Sequence, residues 1–126
     1  MHSSKSPRWF ASAVILFVIA LLAASSRPAL AHAVLVSSTP QKNTAVSGPD
    51  ITINLKYNSR IDGARSTLSL LKPDGTVEKI AAPAQVAPDV LSATGHGLAK
   101  GAYVLRWQVL ATDGHITRGE VPFHVQ

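Results

Sequence analysis

A strict alternation of apolar and polar side chains is the feature that most restricts the fold of this chain. In ITINLKY, residues 51–57, every odd position is apolar or aromatic and every even position is polar. Successive side chains of a β-strand point to opposite faces of the sheet, so this pattern predicts a strand with one face in a core and the other in water. GAYVLRWQVLA (101–111) and EVPFHVQ (120–126) alternate in the same way.

Shorter segments extend this set of strands. STLSLLKPDGTVEKIA (66–81) predicts a hairpin, because Pro73 suits the second position of a tight turn and Gly75 can adopt the conformation that closes it. AVLVSS (33–38) and DVLSAT (89–94) bring the total to about seven strands. The Pro- and Gly-rich segment 83–101 suits loops better than long strands.

These strands predict an all-β fold with a single domain. No window outside the apolar run at 10–24 shows a helical stripe that could form a crossover. About seven short strands separated by turns are typical of an immunoglobulin-like Greek-key β-sandwich or barrel. The chain has no cysteine to supply the disulfide of antibody domains, so we expect Trp107 to be a central core residue.

The first 31 residues have the layout of a secretory signal peptide. Lys5 and Arg8 precede the apolar run, and Ala29 and Ala31 supply small residues at positions −3 and −1 of a cut before His32. The run of about 15 apolar residues is shorter than the roughly 20 that cross a bilayer, which disfavours an uncleaved anchor. We therefore expect a leader at 1–31 and a periplasmic domain at 32–126 that begins with His32.

The composition of residues 32–126 narrows the function classes. Nine Lys and Arg stand against seven Asp and Glu, and their scattered positions are unlike a nucleic-acid-binding surface. Without cysteine, this sequence has no disulfide, no cysteine-ligated zinc site and no thiol catalysis. Its 95 residues suit one small domain, which we expect to be a monomer.

The histidines are the clearest candidates for functional residues. His96, between two glycines, and His124, on the polar side of the last strand, are interpreted as surface residues. His115 differs because it belongs to TDGH, where Asp113 and His115 can converge on one point, either along an extended segment or around a turn at Gly114. By itself, however, such a triplet indicates no more than a common turn.

His32 strengthens the case for a metal site if it is the amino terminus. The main-chain amine and the ring Nδ1 of one terminal histidine can chelate a single ion. Adding the His115 ring and the Asp113 carboxylate gives three nitrogens and one oxygen, which suits the tetragonal preference of Cu(II). Zinc accepts the same atoms in a tetrahedron, but the Irving–Williams order favours copper. We therefore predict one Cu(II) ion at His32, Asp113 and His115.

Both ends of the predicted domain resemble the CopC copper-resistance proteins. The likeness is carried by HAVLVSSTPQ (32–41) and GAYVLRWQVLATDGHITRGEVPFHV (101–125), with the cut before His-Ala, the Tyr-x-x-x-Trp strand, and Asp-Gly-His followed by Gly119. The resemblance implies a Greek-key fold and the same Cu(II) ligands. It also implies a binding protein, not an enzyme, which passes copper to a membrane transporter such as a CopD-like protein or withholds it from one.

Two features depart from the family pattern. Some relatives have a methionine-rich Cu(I) segment, whereas the only methionine here is Met1, so no Cu(I) methionine site is expected. Many relatives also carry an acidic residue near the metal, where KYNSRID (56–62) has Ser59 or Arg60, with Asp62 as a substitute candidate.

Two alternatives to a copper carrier remain open at this point. One is a copper-dependent oxidative enzyme with a histidine clamp, as in lytic polysaccharide monooxygenases, but only four aromatic residues follow the leader and they leave no obvious sugar platform. The other is a metal-free immunoglobulin-like adhesion module, in which TDGH is merely a loop. That module predicts no effect of copper on the melting temperature, whereas a carrier predicts a rise.

Overall fold

The computed structural model describes residues 12–19, 32–81 and 83–126. Residues 12–19, inside the predicted leader, form a helix. Within the described part of the chain, no helix is both long and apolar enough to cross a membrane. Lys5, Arg8 and Ala31 lie outside the described residues, so the leader and its cut before His32 stay predictions.

The described part of residues 32–126 forms nine strands. In chain order they are β1 (Leu35–Thr39), β2 (Ala45–Val46), β3 (Ile51–Tyr57), β4 (Ile61–Leu71), β5 (Val77–Ile80), β6 (Ala84–Ala87), β7 (Val90–Gly95), β8 (Gly101–Ala111) and β9 (Ile116–Val125). Seven of them correspond to the predicted strands. The sequence analysis missed β2, with two residues, and β6, with four, because such short segments show no alternation.

The strands form two facing sheets. One sheet has the order β1-β3-β7-β6 and the other β2-β9-β8-β4-β5. The chain changes sheet at every connection between described strands except β4 to β5, β6 to β7 and β8 to β9. All pairs are antiparallel except β2 with β9, which is parallel. The immunoglobulin-like sandwich is thereby confirmed, with this short parallel edge pair as the one exception to the expected antiparallel pairing among the described strands.

The core between the sheets follows the alternation in the sequence. The odd positions of β3 are buried, as are Tyr103, Leu105, Trp107 and Val109 on β8. Trp107 packs edge-on against Tyr57 of the opposite sheet, with ring centroids 5.3 Å apart. Trp107 is thus a core residue, as predicted, and it joins the two sheets near the end of β3.

Candidate metal centre

The turn between β8 and β9 carries two of the predicted ligands. Gly114 N–H donates to the carbonyl oxygen of Ala111 at 2.9 Å, and Ala111 N–H donates to that of His115 at 2.8 Å. Gly114 has φ 88°, a left-handed conformation that glycine adopts without a steric penalty. Of the two arrangements that the sequence left open, the structure therefore has the turn.

A second turn of the same design joins β4 to β5. Gly75 N–H donates to the Lys72 carbonyl at 3.0 Å and Lys72 N–H donates to the Thr76 carbonyl at 2.8 Å, as predicted for this hairpin. Asp74 Oδ1 accepts the Thr76 N–H at 2.9 Å. An Asp-Gly turn of this kind is a local structure that needs no metal, so the turn alone does not make a site.

Asp113 differs from Asp74 in the state of its second carboxylate oxygen. Oδ1 accepts the His115 N–H at 3.0 Å, in the same way as in the other turn. Oδ2, however, is buried without a hydrogen-bond partner, and the side chain as a whole is only 6% exposed. A buried anionic oxygen with no donor is costly, and a cation beside it would offset that cost.

The charge of Asp113 is favoured by its surroundings. The hydrogen bond from the His115 backbone N–H holds the pKa of Asp113 below its usual value against the opposing effect of burial, and the imidazoles of His115 and His32 lower it further. Asp113 is therefore a carboxylate at neutral pH. Its Oδ2 lies 3.1 Å from Nδ1 of His115 and 4.0 Å from Nδ1 of His32.

His32 reaches this turn because the segment 32–34, called here the N-terminal arm, is held on both sides. Ala33 is 1% exposed, and its carbonyl accepts a hydrogen bond from Thr117 Oγ1 at 2.9 Å. Val34 N–H donates to Asn58 Oδ1 at 2.8 Å, and Asn58 N–H donates to the Val34 carbonyl at 3.0 Å. The arm thereby sets the His32 ring edge-on to the His115 ring, with centroids 4.6 Å apart.

The spacing of the three side chains suits one metal ion. Ligand atoms at about 2.0–2.1 Å from an ion lie about 2.9 Å apart at a right angle and about 4.1 Å apart across it. The distances from Asp113 Oδ2 to the two Nδ1 atoms span this range, and one donor atom of each residue lies within 4.8 Å of the others. The rings of His32 and His115 are 58% and 59% exposed, so they are free to turn and shorten the longer separations.

Other candidates from the sequence are not part of this cluster. Nδ1 of His96, directly after β7, lies 3.6 Å from Oδ1 of Asp50, directly before β3, and both side chains are exposed. His124 is exposed on β9, opposite Ala45 of β2. Asp62, the candidate replacement for an acidic neighbour, is 3.7 Å from Arg65 instead.

Sequence reasoning missed Asn58 and Thr117, which hold the arm. Neither is a usual metal ligand, and their backbone partners are 24 and 84 residues away in the chain. Only the position of Asn58 directly after a predicted strand set it apart, and that signal does not indicate a partner.

Comparisons with known proteins agree with this fold. The family model of the CopC domain matches residues 35–126. The chain is similar to copper resistance protein C of Xanthomonas campestris pv. juglandis, 32% identical over 127 residues that span 94% of this chain and 97% of that protein. It is also similar to copper resistance protein C of Escherichia coli, 29% identical over 106 residues that span 78% of this chain and 84% of that protein.

Solved structures of copper resistance proteins are also similar to this fold. CopC from Methylosinus trichosporium OB3b superposes with a TM-score of 0.68 at 28% identity, covering 75% of this chain and 94% of that one. PcoC, a methionine-rich copper resistance protein from Escherichia coli, superposes with a TM-score of 0.64 at 25% identity, covering 76% of this chain and all of that one.

Proposed function

The chain belongs to the CopC family, and from this premise we propose that it is an exported Cu(II)-binding protein of copper resistance and homeostasis. Residues 1–31 act as a signal peptide, and the domain 32–126 works in the periplasm with His32 as its first residue. One Cu(II) ion is held by the amine and ring of His32, the carboxylate of Asp113 and the ring of His115.

The observation that carries this proposal is the unpartnered oxygen of Asp113. Its Oδ2 is buried, accepts no hydrogen bond and lies beside two imidazole nitrogens. An imidazole binds a metal ion through a nitrogen lone pair, and a carboxylate binds it through its negative charge. The rings of His32 and His115 and the carboxylate of Asp113 are therefore complementary to a cation, which would take the place of the hydrogen-bond donor that Oδ2 lacks. The equivalent turn at Asp74 has no histidine at the matching position, which is occupied by Thr76.

The donor set supports Cu(II) over the alternatives. Three nitrogens and one carboxylate oxygen match the tetragonal preference of Cu(II), and the affinity order of divalent metals favours copper at such a site. The relative PcoC is described as methionine-rich, whereas residues 32–126 contain no methionine or cysteine. Soft Cu(I) therefore finds no thioether or thiolate in this domain.

The burial of the aromatic residues weakens the oxidative-enzyme alternative. Tyr57, Tyr103, Trp107 and Phe123, the four aromatics that follow the leader, are at most 8% exposed. A polysaccharide enzyme needs exposed rings on which sugars stack, and the domain has none to present. The adhesion alternative gives no reason for two histidines to converge on a buried carboxylate oxygen that accepts no hydrogen bond.

The exposed rings of the site suit transfer of copper to another protein. Since His32 and His115 are each more than half exposed, an incoming ligand can reach the metal and displace them one at a time. The partner in this proposal is a membrane copper transporter of the CopD type, which either receives the ion or is denied it.

The test compares the protein that begins at His32 with the same protein acetylated on its α-amine, which removes one donor without adding another. We expect EPR to count three nitrogen donors in the first protein and fewer in the second, with weaker binding by calorimetry. Equal Cu(II) affinity of the two proteins would refute the chelate.

Matched turns supply a control for the carboxylate. Asp113→Asn and Asp74→Asn both alter an Asp-Gly turn whose Oδ1 accepts a backbone N–H. We expect Asp113→Asn to weaken Cu(II) binding at least about tenfold and Asp74→Asn to leave it unchanged. An equal effect of the two substitutions would place the metal elsewhere.

A further inference from the structure

The N-terminal arm is held by residues that do not bind the metal. Residues 32–34 precede β1, so no sheet pairing fixes them. Their backbone is instead hydrogen-bonded by Asn58, directly after β3, and by Thr117, on β9. First residues of a domain are usually poorly ordered unless they are tied down in this way.

These contacts join the arm to β9, the strand that directly follows another proposed ligand, His115. Thr117 lies two residues after His115 at the start of β9, and its hydroxyl bonds to the residue directly after His32. The hydrogen bond from Thr117 to Ala33 therefore links the two backbone segments from which the His115 and His32 side chains project. Asn58 holds the next residue of the arm by two bonds, one from its side chain and one from its backbone.

Burial of Ala33 sets the length of the free arm. Its side chain is closed off in the core while His32 remains exposed, so in the protein that begins at His32 a single residue projects beyond Ala33. A single projecting residue has few conformations, which lowers the entropy that must be lost when its amine and ring bind an ion together.

We propose that Asn58 and Thr117 are positioning residues that preorganise the His32 chelate. This inference rests on the proposed Cu(II) function and adds to it the device that holds the ligand. Without the two side chains, the arm would keep only the burial of Ala33 and the backbone bond from Asn58, so it would be less ordered before copper binds, and the cost of completing that order would appear as lower affinity.

The experiment uses the protein that begins at His32 and Cu(II) as the probe. Thr117→Val removes the hydroxyl at nearly constant volume, Thr117→Ser retains it, and Asn58→Ala removes the acceptor for the Val34 N–H. Ser38→Ala is the matched control, because Ser38 on β1 also donates a side-chain hydrogen bond to a backbone carbonyl, that of Pro40 at 2.8 Å, away from the arm at the other end of the strand.

We expect Thr117→Val and Asn58→Ala each to weaken Cu(II) affinity about two- to tenfold, the range of one hydrogen bond. Thr117→Ser and Ser38→Ala remain within about twofold of the unmodified protein. Hydrogen exchange at Val34 accelerates in metal-free Asn58→Ala, and EPR of copper-loaded Thr117→Val shows a second population with fewer nitrogen donors. Melting curves of the metal-free variants verify folding, and Asn58→Ala carries the test if Thr117→Val does not fold.

Each contrary result has a distinct meaning. If Asn58→Ala exchanges faster at Val34 but binds Cu(II) with unchanged affinity, the positioning role is wrong. A loss in Ser38→Ala equal to that in Thr117→Val also overturns it, since any loosening near β1 would then suffice. If acetylation of the α-amine leaves affinity unchanged, the proposed chelate itself fails, whatever the arm variants do.

Discussion

The pair of Trp107 and Gly119 allows a quantitative prediction about the fold beneath the candidate site. The two residues are directly opposite in the pairing of β8 with β9. A Cβ added to Gly119 would lie 2.6 Å from Cε2 and 2.9 Å from Nε1 of Trp107, and closer still to Cζ2. The indole thus occupies the space that any side chain at position 119 would need, which explains why a glycine stands here.

Gly119→Ala is expected to destabilise the domain by about 2–4 kcal/mol. Forcing an extra methyl group into a packed core costs about 1–3 kcal/mol. Trp107 cannot withdraw freely, because it is buried and packs edge-on against Tyr57 at 5.3 Å, a contact worth about 0.5–1.5 kcal/mol beyond its buried area. For a domain of this size each kcal/mol lowers the melting temperature by about 4–8 °C.

A double-mutant cycle tests the cause as well as the size of this effect. Phenylalanine has a smaller ring that lacks the counterpart of Cζ2, the indole atom nearest the new methyl group, so Gly119→Ala should cost less than about 1 kcal/mol in a Trp107→Phe background. Urea unfolding of the four proteins, followed by circular dichroism, gives the coupling energy, expected at about 1–3 kcal/mol. If Gly119→Ala costs the same with either aromatic residue, the clash with Trp107 is not the reason for the glycine.

Three further predictions concern copper and pH. Cu(II) at about a hundredfold excess over its Kd should stabilise the protein that begins at His32 by about 2.7 kcal/mol, seen as a melting temperature raised by about 10–20 °C, and no rise would contradict binding by the folded state. Acidification should weaken Cu(II) affinity measured at equilibrium, because protons compete with the ion for the nitrogen lone pairs; an affinity that does not change with pH would exclude the proposed nitrogen ligands. Tyr57→Phe should be neutral or stabilising at pH 7, since the buried hydroxyl has no partner. Burial raises the pKa of Tyr57, so ionisation does not affect stability below the ordinary pKa near 10, whereas above that pH it favours the unfolded chain; urea unfolding from pH 8 to 11 should therefore show a steeper alkaline loss in the wild type than in the variant.

The strands that could be predicted from the sequence are those with a regular period. β3, β8 and β9 alternate over seven or more residues, and burial of one face follows directly. β2 and β6 are too short to carry a period, and they exist because β9 and β7 offer them free backbone groups. Such pairing depends on the assembled sheets, so no local sequence pattern predicts it.

The candidate site likewise has a part that the local sequence predicts and a part that it does not. The Asp-Gly turn and its two side chains are local, and residue type alone predicted that Asp113 and His115 could converge. The placement of His32 is not local, because it depends on hydrogen bonds to Asn58 and Thr117 across 24 and 84 residues of chain. From the sequence, His32 was assigned to the same site by the donor chemistry of an amino-terminal histidine and by the resemblance to a family, and neither of these indicated how the residue is held there.

Comparison of the two Asp-Gly turns shows which features distinguish a candidate metal site from a common structural element. Both have the same backbone hydrogen bonds, and in both one carboxylate oxygen accepts an N–H from the residue after glycine. Asp74 remains exposed, and its side chain also accepts the Thr76 hydroxyl. Asp113 instead is covered, and its second oxygen is left without a donor between two imidazoles. Since the turns match, the difference arises from what packs against them, and a chain that kept TDGH but lost the held arm would keep the turn without the arrangement that suits a metal.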